Sequence, residues 1–322
     1  LATDTEADLW NDFAQHLYYQ TVRYTEESFQ ALAAFLDELD RQRNTLNNRI
    51  FDLAVPPALY PVIGELLGNS GLANEKADSN GWARIVVEKP FGRDLASARE
   101  LDATLHAHFD EKQIFRIDHY LAKETVQNTL IFRFANTIFE PVWNRHYIDY
   151  VGIIAAEKLG VGTRAGYYEK SGVVRDMFQN HMMQLLVLTA MEPPSRFTAD
   201  AVQDEKAKVI RSLRDFDLET GSKLCLGQYQ DGTIDGEHVP GYLKEPGIPA
   251  DSANPTFSLM ELYIDNWRWQ DVPFYLVSGK RLPRKETRIV IQFKEVPHRL
   301  FRDVLGDTIN ANRLVIETYP EE

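Results

Sequence analysis

The chain has 322 residues, 44% of them hydrophobic, which is enough for one large globular domain or two of ordinary size. Its formal net charge of -13 argues against a nucleic acid or an anionic membrane surface as a partner, because the long-range field of the chain repels both. No apolar run approaches the roughly 18 residues that a membrane-spanning helix needs, and the opening LATDTEADLW lacks the basic flank and apolar core of a signal peptide. We therefore expect a globular protein of the cytoplasm.

The first third of the chain alternates between helical and strand patterns. Apolar residues at helical spacing predict amphipathic helices, and β-branched runs predict buried strands. The predicted elements are helices over 4–19 and 25–40, a strand over 49–55, a helix over 58–67, a strand over 84–88, a helix capped by Asp94 and running to 109, and a strand over 113–117. Elements at these spacings predict a parallel sheet with βαβ connections, which is an incomplete Rossmann-like fold of the α/β class.

Beyond Lys123 the pattern changes to helices followed by strands. The predicted elements are helices over 124–146, 172–191 and 198–214, with strands over 150–157, 224–229, 256–264, 272–278, 287–293 and 313–318. Several strands alternate in polarity, which predicts a larger α+β domain with a mainly antiparallel sheet covered by helices. The segment 230–255 is rich in Gly and Pro, and we expect a long surface loop there that serves as a lid or an interface.

The single cysteine, Cys225, has no partner for an internal disulfide, which fits a reducing compartment. Its setting, SKLCLGQYQ, is typical of a strand interior. We therefore predict a small buried hydrophobic residue rather than a nucleophile.

The segment QIFRIDHYLAKE, residues 113–124, is a candidate functional site. Its apolar run gives way to a polar cluster that contains Asp118, His119, Tyr120 and Lys123. Open α/β sheets bind ligands beyond the carboxyl ends of their strands, so these side chains predict a site, with a solvated loop as the alternative.

Polar residues at other predicted strand ends and on one helix extend this hypothesis. They are Lys89, Glu157, the stretch from Asp176 to His181, Lys280 and Lys285. Each has a simpler explanation: a strand-end lysine is usually solvated, and a histidine inside QNHMMQLLVL is more often a core residue than a catalyst.

Taken together, these residues match the recognition of a sugar phosphate. His119, Tyr120 and Lys123 offer an imidazole, a hydroxyl and an ammonium group to a phosphate dianion. Carboxylates and amides such as Glu157, Asp176 and Asn180 suit sugar hydroxyls. Oxidation of an alcohol needs a base of near-neutral pKa, and a histidine paired with a carboxylate, here His181 with Asp118, serves that purpose.

Two other patterns are weaker candidates. Gly160, Gly162 and Gly166 follow the spacing GxGxxxG after a later strand, so we do not expect them to bind a dinucleotide. His106 and His108 are two residues apart on a predicted helix and point to different faces, so we expect no metal site there.

Six ordered segments of the chain resemble the glucose-6-phosphate dehydrogenase family. They are AVPP at 54–57, EKPFG at 88–92, RIDHYLAKE at 116–124, NRHYIDYVGI at 144–153, VVRDMFQNHMMQLL at 173–186 and VPFYLVSGKRL at 272–282. The third resembles the active-site signature of the family, in which Gly usually stands where this chain has Ala122. The extra methyl group lies in a tight turn, and every functional side chain of the signature is present.

The resemblance implies the oxidation of glucose 6-phosphate at C1 to 6-phosphogluconolactone, the first step of the pentose phosphate pathway. His181 would be the general base on the C1 hydroxyl, and Asp118 would be its orienting partner. Lys89 would lie between the substrate and the nicotinamide, with Pro90 as a cis proline. The substrate-binding residues would be His119, Tyr120 and Lys123 at the phosphate, Glu157 and Asp176 at the sugar hydroxyls, Lys280 at the substrate, and Lys285 at the substrate or coenzyme anion.

The resemblance also implies two domains and an incomplete coenzyme site. Residues 1–118 would be the remainder of the dinucleotide-binding domain, and 119–322 a substrate-binding and dimerisation domain that is incomplete at its C-terminus. Family members begin with a strand and a GxxGDL turn for the coenzyme pyrophosphate, and this sequence has no such motif. We therefore expect weak NADP binding and poor turnover from this chain alone.

Some alternatives stay open at the level of sequence. NADP is the implied coenzyme, and NAD stays open because the residue that discriminates belongs to the motif that is not found. The implied assembly is a homodimer, with a tetramer as the alternative. The competing functions are another sugar dehydrogenase with an EKP motif and a non-catalytic dimerisation module.

Overall fold

The computed structural model describes residues 4–75, 81–219, 223–298, 300, 304 and 310–319. It divides into two units, Leu1–Ile117 and Asp118–Glu322, here called unit 1 and unit 2. The predicted fold class is confirmed: unit 1 contains a parallel sheet, and unit 2 contains a mainly antiparallel sheet with helices.

Unit 1 is built on three parallel strands. Its elements are α1 (Asp4–Ala14), α2 (Glu26–Arg43), β1 (Arg49–Asp52), α3 (Tyr60–Asn69), β2 (Ala83–Glu88), α4 (Leu95–His106) and β3 (Ile114–Ile117). The strands pair in the order β1-β2-β3. Ile85 and Val87 of β2 are fully buried and share a core with Leu67 of α3 and Leu105 of α4. The predicted cap of α4 is confirmed, because Asp94 accepts a hydrogen bond from the amide of Ser97.

Unit 2 is built on a six-stranded sheet. Its helices are α5 (Glu124–Phe134), α6 (Ala165–Val173), a π-helical segment (Val174–Met182), α7 (Met183–Ala190) and α8 (Ala199–Arg211). Its strands are β4 (Ile148–Ala156), β5 (Leu224–Gly227), β6 (Gly232–Ile234), β7 (Glu237–Val239), β8 (Phe257–Leu262), β9 (Phe274–Gly279), β10 (Glu286–Phe293) and β11 (Arg313–Tyr319). The large sheet has the order β11-β10-β4-β9-β8-β5, and only the β4–β9 pair is parallel.

The core of unit 2 joins α7 to the middle of this sheet. Leu185 and Leu186 of α7 are fully buried, and they belong to one apolar cluster with Ile153 of β4, Leu276 of β9 and Ile289 of β10. Burial of this kind fixes the helices that carry the site against a rigid sheet. None of the helices in the described ranges is both long and apolar enough to span a bilayer.

Two predicted helices are shorter than expected. The helix predicted over 4–19 ends at Ala14, where turn hydrogen bonds from the amides of His16 and Leu17 close it. The helix predicted over 124–146 ends at Phe134, and Pro141 then lies in a separate 3-10 turn. A proline lacks the amide hydrogen that a continuing helix would need.

The prediction for Cys225 was wrong, because its side chain is exposed. Among the strands that the structure describes, β5 lies at the edge of the sheet and pairs only with β8. The strand-like pattern around Cys225 was correct, but alternation along a chain does not reveal whether a strand lies at the centre or at the edge of its sheet.

The predicted loop over 230–255 is not irregular throughout. Strands β6 and β7 form an antiparallel hairpin whose turn is Asp235–Gly236. Both turn residues have positive φ, of 52° and 86°, as the tight hairpin turn favoured by Asp-Gly requires.

Candidate active site

The segment from Asp118 to Lys123 is a tight turn that precedes α5. The Asp118 carboxylate accepts a hydrogen bond of 3.0 Å from the amide of Tyr120, and the carbonyl of Asp118 accepts one of 3.0 Å from Leu121. These bonds fix the direction of the polar side chains before α5 begins at Glu124. Ala122 does not have a positive φ, so its methyl group causes no backbone strain in this turn.

His181 and Asp118 form the centre of the site. Nδ1 of His181 lies 2.7 Å from Oδ1 of Asp118, and the imidazole is 1% exposed. Burial acts to raise the pKa of Asp118, but the hydrogen bond and the charge of His181 hold that pKa below its ordinary value. An ionised carboxylate only accepts hydrogen bonds, so Nδ1 of His181 is the donor in this contact, and in the neutral form of the imidazole Nε2 is the nitrogen that has a lone pair.

The helix that carries His181 is π-helical where α-helical geometry was expected. The predicted helix over 172–191 begins after Gly172, which has a φ of 65°, and runs as a π-helix from Val174 to Met182. A π-helix is wound more loosely than an α-helix and joins residues five apart through its backbone hydrogen bonds, which brings Asp176 and His181 closer to the same side of the segment. In a regular α-helix the same two residues would point in different directions.

The side chains of the turn surround His181. The Tyr120 ring stacks on the imidazole, with centroids 4.1 Å apart and an interplanar angle of 18°. The His119 ring lies edge-on at 4.5 Å and is exposed. Burial raises the pKa of Tyr120, and an interaction with Thr287 of β10 acts to lower it. Tyr120 therefore holds the imidazole in place, while His119 lies at the exposed edge of the site.

Two lysines lie close to Tyr319 of β11. Nζ of Lys123 is 4.3 Å from the centre of the Tyr120 ring and 5.8 Å from that of Tyr319. Nζ of Lys285 is 4.0 Å from the centre of the same Tyr319 ring. The side chain of Thr125 at the start of α5 donates to the carbonyl of Thr318, which ties this helix to β11. The structure thus brings Lys285 and Lys123 to the same Tyr319 ring.

Glu157 and Lys280 lie at the ends of β4 and β9. These strands run parallel, so their carboxyl ends meet at the same edge of the sheet. Nζ of Lys280 is 2.5 Å from a carboxylate oxygen of Glu157 and 5.2 Å from the centre of the Tyr168 ring. Burial and the nearby Asp176 and Glu157 carboxylates raise the pKa of Tyr168.

Asp176 is 4% exposed, and it accepts a hydrogen bond of 3.2 Å from the Tyr167 hydroxyl. Burial and the Asp176 charge raise the pKa of Tyr167. Lys206 of α8 interacts electrostatically with Asp118, although burial lowers the pKa of this lysine. Asn180, in contrast, donates its amide to the carbonyl of Arg175.

The predicted residues of unit 1 lie at the carboxyl end of β2. Lys89 is half-buried, and the peptide bond between Lys89 and Pro90 is cis, as predicted. Gly92 follows with a φ of 100°, and a Cβ atom there would lie 2.5 Å from the backbone nitrogen of Ala98. The loop therefore packs directly against the first turn of α4.

The two weaker sequence patterns have structural explanations. A Cβ atom on Gly160 would lie 2.3 Å from Glu245 and 2.7 Å from Arg281, so close packing requires glycine at that position. His106 is held by the carbonyl of Asp102 and by the Glu111 carboxylate.

Several residues of the site were missed at the level of sequence. They are Tyr167, Tyr168, Lys206, Thr287 and Tyr319. Each joins the site through a contact between elements far apart in the chain, which no spacing pattern reveals. The pair of tyrosines eight and nine residues before Asp176 was a local indication.

Comparison with known proteins shows similarity along nearly the whole chain. Residues 2–128 match the family model described as glucose-6-phosphate dehydrogenase, NAD binding domain, and residues 130–322 match glucose-6-phosphate dehydrogenase, C-terminal domain. A glucose-6-phosphate 1-dehydrogenase of Aggregatibacter actinomycetemcomitans is 48% identical over 312 residues, which are 96% of this chain and 62% of that protein.

Solved structures show the same relationship. A glucose-6-phosphate dehydrogenase in complex with its substrate glucose-6-phosphate is similar with a TM-score of 0.86 and 35% identity, covering 99% of this chain and 63% of that one. Glucose-6-phosphate 1-dehydrogenase from Mycobacterium avium gives a TM-score of 0.82 and 34% identity, covering 98% and 64%. The chain thus spans less than two thirds of the length of these relatives.

Proposed function

Because the chain belongs to the glucose-6-phosphate dehydrogenase family, we propose that it carries the substrate site of an oxidoreductase that converts glucose 6-phosphate to 6-phosphogluconolactone. The observation that carries this proposal is the buried His181–Asp118 pair beside the turn that holds His119 and Lys123. A proton acceptor and an anion-binding group are thereby joined in one site.

His181 acts as the general base in this proposal. Nε2 of His181 takes the proton of the C1 hydroxyl while the C1 hydrogen leaves as hydride, which gives the lactone carbonyl. The imidazole becomes positively charged, and the Asp118 carboxylate at 2.7 Å stabilises that charge. The Tyr120 ring, stacked at 4.1 Å, keeps the imidazole in the required orientation.

The phosphate group binds between His119 and Lys123. Both side chains come from one turn, and each can donate a charge-assisted hydrogen bond to a phosphate oxygen. Lys285 supplies a further positive charge from across the Tyr319 ring. This local charge offsets the repulsion that the net charge of -13 exerts on an anionic substrate. The Tyr120 hydroxyl, which lies beside Thr287, also binds the phosphate group.

The sugar hydroxyls bind to Glu157, Asp176 and Lys280. The carboxylates accept hydrogen bonds from hydroxyl groups, and the Lys280 ammonium donates them. Glu157 and Lys280 are paired with each other, so they offer the substrate one acceptor and one donor in a fixed arrangement. Fixed arrangements of this kind lower the entropic cost of reaching the reactive geometry.

The coenzyme in this proposal is NADP, with NAD as the alternative. Lys89 and Pro90 suit the nicotinamide end, since they follow β2 at the carboxyl edge of a parallel sheet, where such folds bind ligands. When bound, the coenzyme accepts the hydride. The residues of this chain bind the sugar phosphate, orient it and accept its proton.

The two units have separate roles in this proposal. Unit 1 is part of the dinucleotide-binding domain, and unit 2 is the substrate-binding and dimerisation domain of a cytoplasmic homodimer or tetramer. The similarity of residues 2–128 and 130–322 to two different family models supports this division.

The proposal is tested with the substitution His181→Asn in a longer protein that contains this chain together with the coenzyme-binding motif. We expect a loss of turnover of about 10²–10⁴-fold, because the proton acceptor is removed, with glucose 6-phosphate binding largely retained. Turnover is followed through NADPH absorbance, and binding through calorimetry without coenzyme. The exposed His146 gives the matched control, since His146→Asn should alter neither quantity.

Two outcomes would overturn the assignment. One is a large loss of substrate affinity in His181→Asn with turnover preserved. The other is equal activity on glucose and on glucose 6-phosphate, which would favour a sugar dehydrogenase that does not recognise the phosphate group.

A further inference from the structure

We propose that Asp118, His119 and His181 form an inhibitory binding site for Zn²⁺. Each of the three offers one ligand atom, and these atoms all lie within 4.8 Å of one another. Within the part of the chain that the structure describes, no other group of three or more His, Cys, Asp or Glu residues meets this condition.

The donor set selects the metal. Two imidazole nitrogens and one carboxylate oxygen suit Zn²⁺ and its neighbours among the transition metals, whereas Mg²⁺ and Ca²⁺ prefer ligands that are all oxygen. Protein sites in which Zn²⁺ has three ligands of this kind keep a fourth position open for water or another oxygen ligand.

The geometry requires only a small adjustment. Ligand atoms around tetrahedral zinc lie about 3.3 Å apart, given bonds of roughly 2.0–2.1 Å. His181 is buried and held by the Tyr120 stack, so it stays in place. His119 is exposed, and its side chain can move inward.

Zinc binding would remove the function of all three residues at once. Because Asp118 lies beside Nδ1 of His181, zinc shared by these two residues binds Nδ1, so that their hydrogen bond is lost and a proton is released. His119 is at the same time withdrawn from the phosphate. This inhibitory consequence rests on the proposed function, whereas the binding of the metal does not.

The metal site is tested directly by titrating the protein with Co²⁺, which replaces Zn²⁺ and absorbs visible light when bound to nitrogen and oxygen ligands. We expect one equivalent of Co²⁺ to give this absorption, and Zn²⁺ to displace it. The substitutions His119→Ala and Asp118→Asn should each weaken binding by at least about tenfold, because even the loss of a supporting partner of a ligand costs this much. His238 is exposed on the β6–β7 hairpin, so His238→Ala should leave the titration unchanged.

Two results of the titration would overturn the site. One is the absence of a stoichiometric Co²⁺ spectrum in the wild-type protein. The other is a spectrum that His119→Ala and Asp118→Asn leave unchanged while circular dichroism shows both variants to be folded. His119→Gln provides a second variant, because it keeps the size of an exposed side chain and removes the imidazole.

A separate measurement tests the inhibition. Zn²⁺ should raise the KM for glucose 6-phosphate in proportion to its concentration, and His119→Gln should respond at least about tenfold less to the metal. If Co²⁺ binds as expected but Zn²⁺ leaves the KM unchanged, the metal site stands and the catalytic roles proposed for these residues are contradicted. Inhibition that His119→Gln does not relieve would overturn the metal site as its cause.

Discussion

His181 and Asp118 are 63 residues apart in the chain, and their side chains meet at 2.7 Å. His181 belongs to a π-helical segment in which it is buried, and Asp118 belongs to a partly buried turn. Because the turn is fixed by its own hydrogen bonds and the helix by the core, the contact is preorganised before any substrate binds. The two side chains therefore act together.

The first prediction concerns the pair of His181 and Asp118. The substitution Asp118→Asn should lower kcat by about 10²–10⁴-fold and change the KM for glucose 6-phosphate much less. An asparagine amide can donate to Nδ1, which moves the imidazole hydrogen to Nε2 and leaves no lone pair for the substrate. Steady-state kinetics measure both quantities.

A double-mutant cycle makes this prediction sharper. The variant with both Asp118→Asn and His181→Asn should be no slower than His181→Asn alone, since the carboxylate acts only through the imidazole. Additive losses in kcat would show that Asp118 has a separate role and would contradict the dyad.

The sequence predicted the parts of this site that come from local chemistry. The β-branched run from Arg84 predicted β2, and Asp94 predicted the start of α4, because strand burial and helix capping depend on neighbouring residues. The chemistry of alcohol oxidation suggested the pairing of His181 with Asp118, and the family resemblance implied the same roles. Spacing alone could not, because the two side chains meet only through the tertiary fold.

Other features depend on information that a local pattern does not hold. The periodicity of apolar residues does not separate an α-helix from a π-helix, so the shared face of Asp176 and His181 was not foreseen. The exposure of Cys225 follows from strand order. The hairpin at Asp235–Gly236, in contrast, could have been predicted from its turn residues.

The second prediction concerns Tyr167. Removal of its hydroxyl by Tyr167→Phe should raise the KM for glucose 6-phosphate by roughly fivefold and leave kcat almost unchanged, because a neutral hydrogen bond contributes about 1 kcal/mol. The lost bond is the one of 3.2 Å that orients Asp176. Tyr147 is exposed, and Tyr147→Phe is the matched control. A fall in kcat with constant KM would contradict a role in substrate positioning.

The third prediction concerns the phosphate anchor. Lys123→Gln should raise the KM for glucose 6-phosphate by roughly 10- to 150-fold, the equivalent of one charge-assisted hydrogen bond of about 1.5–3 kcal/mol. Lys285→Gln should raise it by a smaller factor, because the side chain of Lys285 is more exposed. Lys158 is exposed and paired with Asp235, so Lys158→Gln serves as the control.

Inhibition by inorganic phosphate tests the same anchor without the sugar. Its inhibition constant should rise in parallel with the KM in both lysine variants. If Lys285→Gln instead raises only the KM for NADP, then Lys285 belongs to the coenzyme site and its place beside Tyr319 does not reflect phosphate binding.

The fourth prediction concerns stability and rests on Glu261 of β8. This side chain is 7% exposed, and it accepts hydrogen bonds of 3.0 Å from Nζ of Lys223 and 2.9 Å from the hydroxyl of Tyr263. Burial acts to raise the pKa of Glu261, but these two donors and the Lys223 charge hold it below 4.5, its ordinary value. Glu261→Gln should therefore lower the free energy of unfolding at pH 7 by about 1.5–3 kcal/mol, because hydrogen bonds to a charged acceptor are lost.

The pH dependence of this difference follows from the direction of the pKa shift. In the unfolded chain the Glu261 carboxylate takes up a proton near pH 4.5, whereas in the native protein it stays ionised to lower pH. The stability that Glu261 contributes is therefore complete above pH 4.5. It is lost as the pH falls through the lowered native pKa. Urea unfolding of the wild type and of Glu261→Gln should thus give stabilities that converge in acid. Glu237 is exposed on the β6–β7 hairpin, and Glu237→Gln should show no such convergence. A difference between Glu261→Gln and the wild type that stays constant from pH 7 into acid would mean that Glu261 stabilises the sheet by packing rather than through its charge.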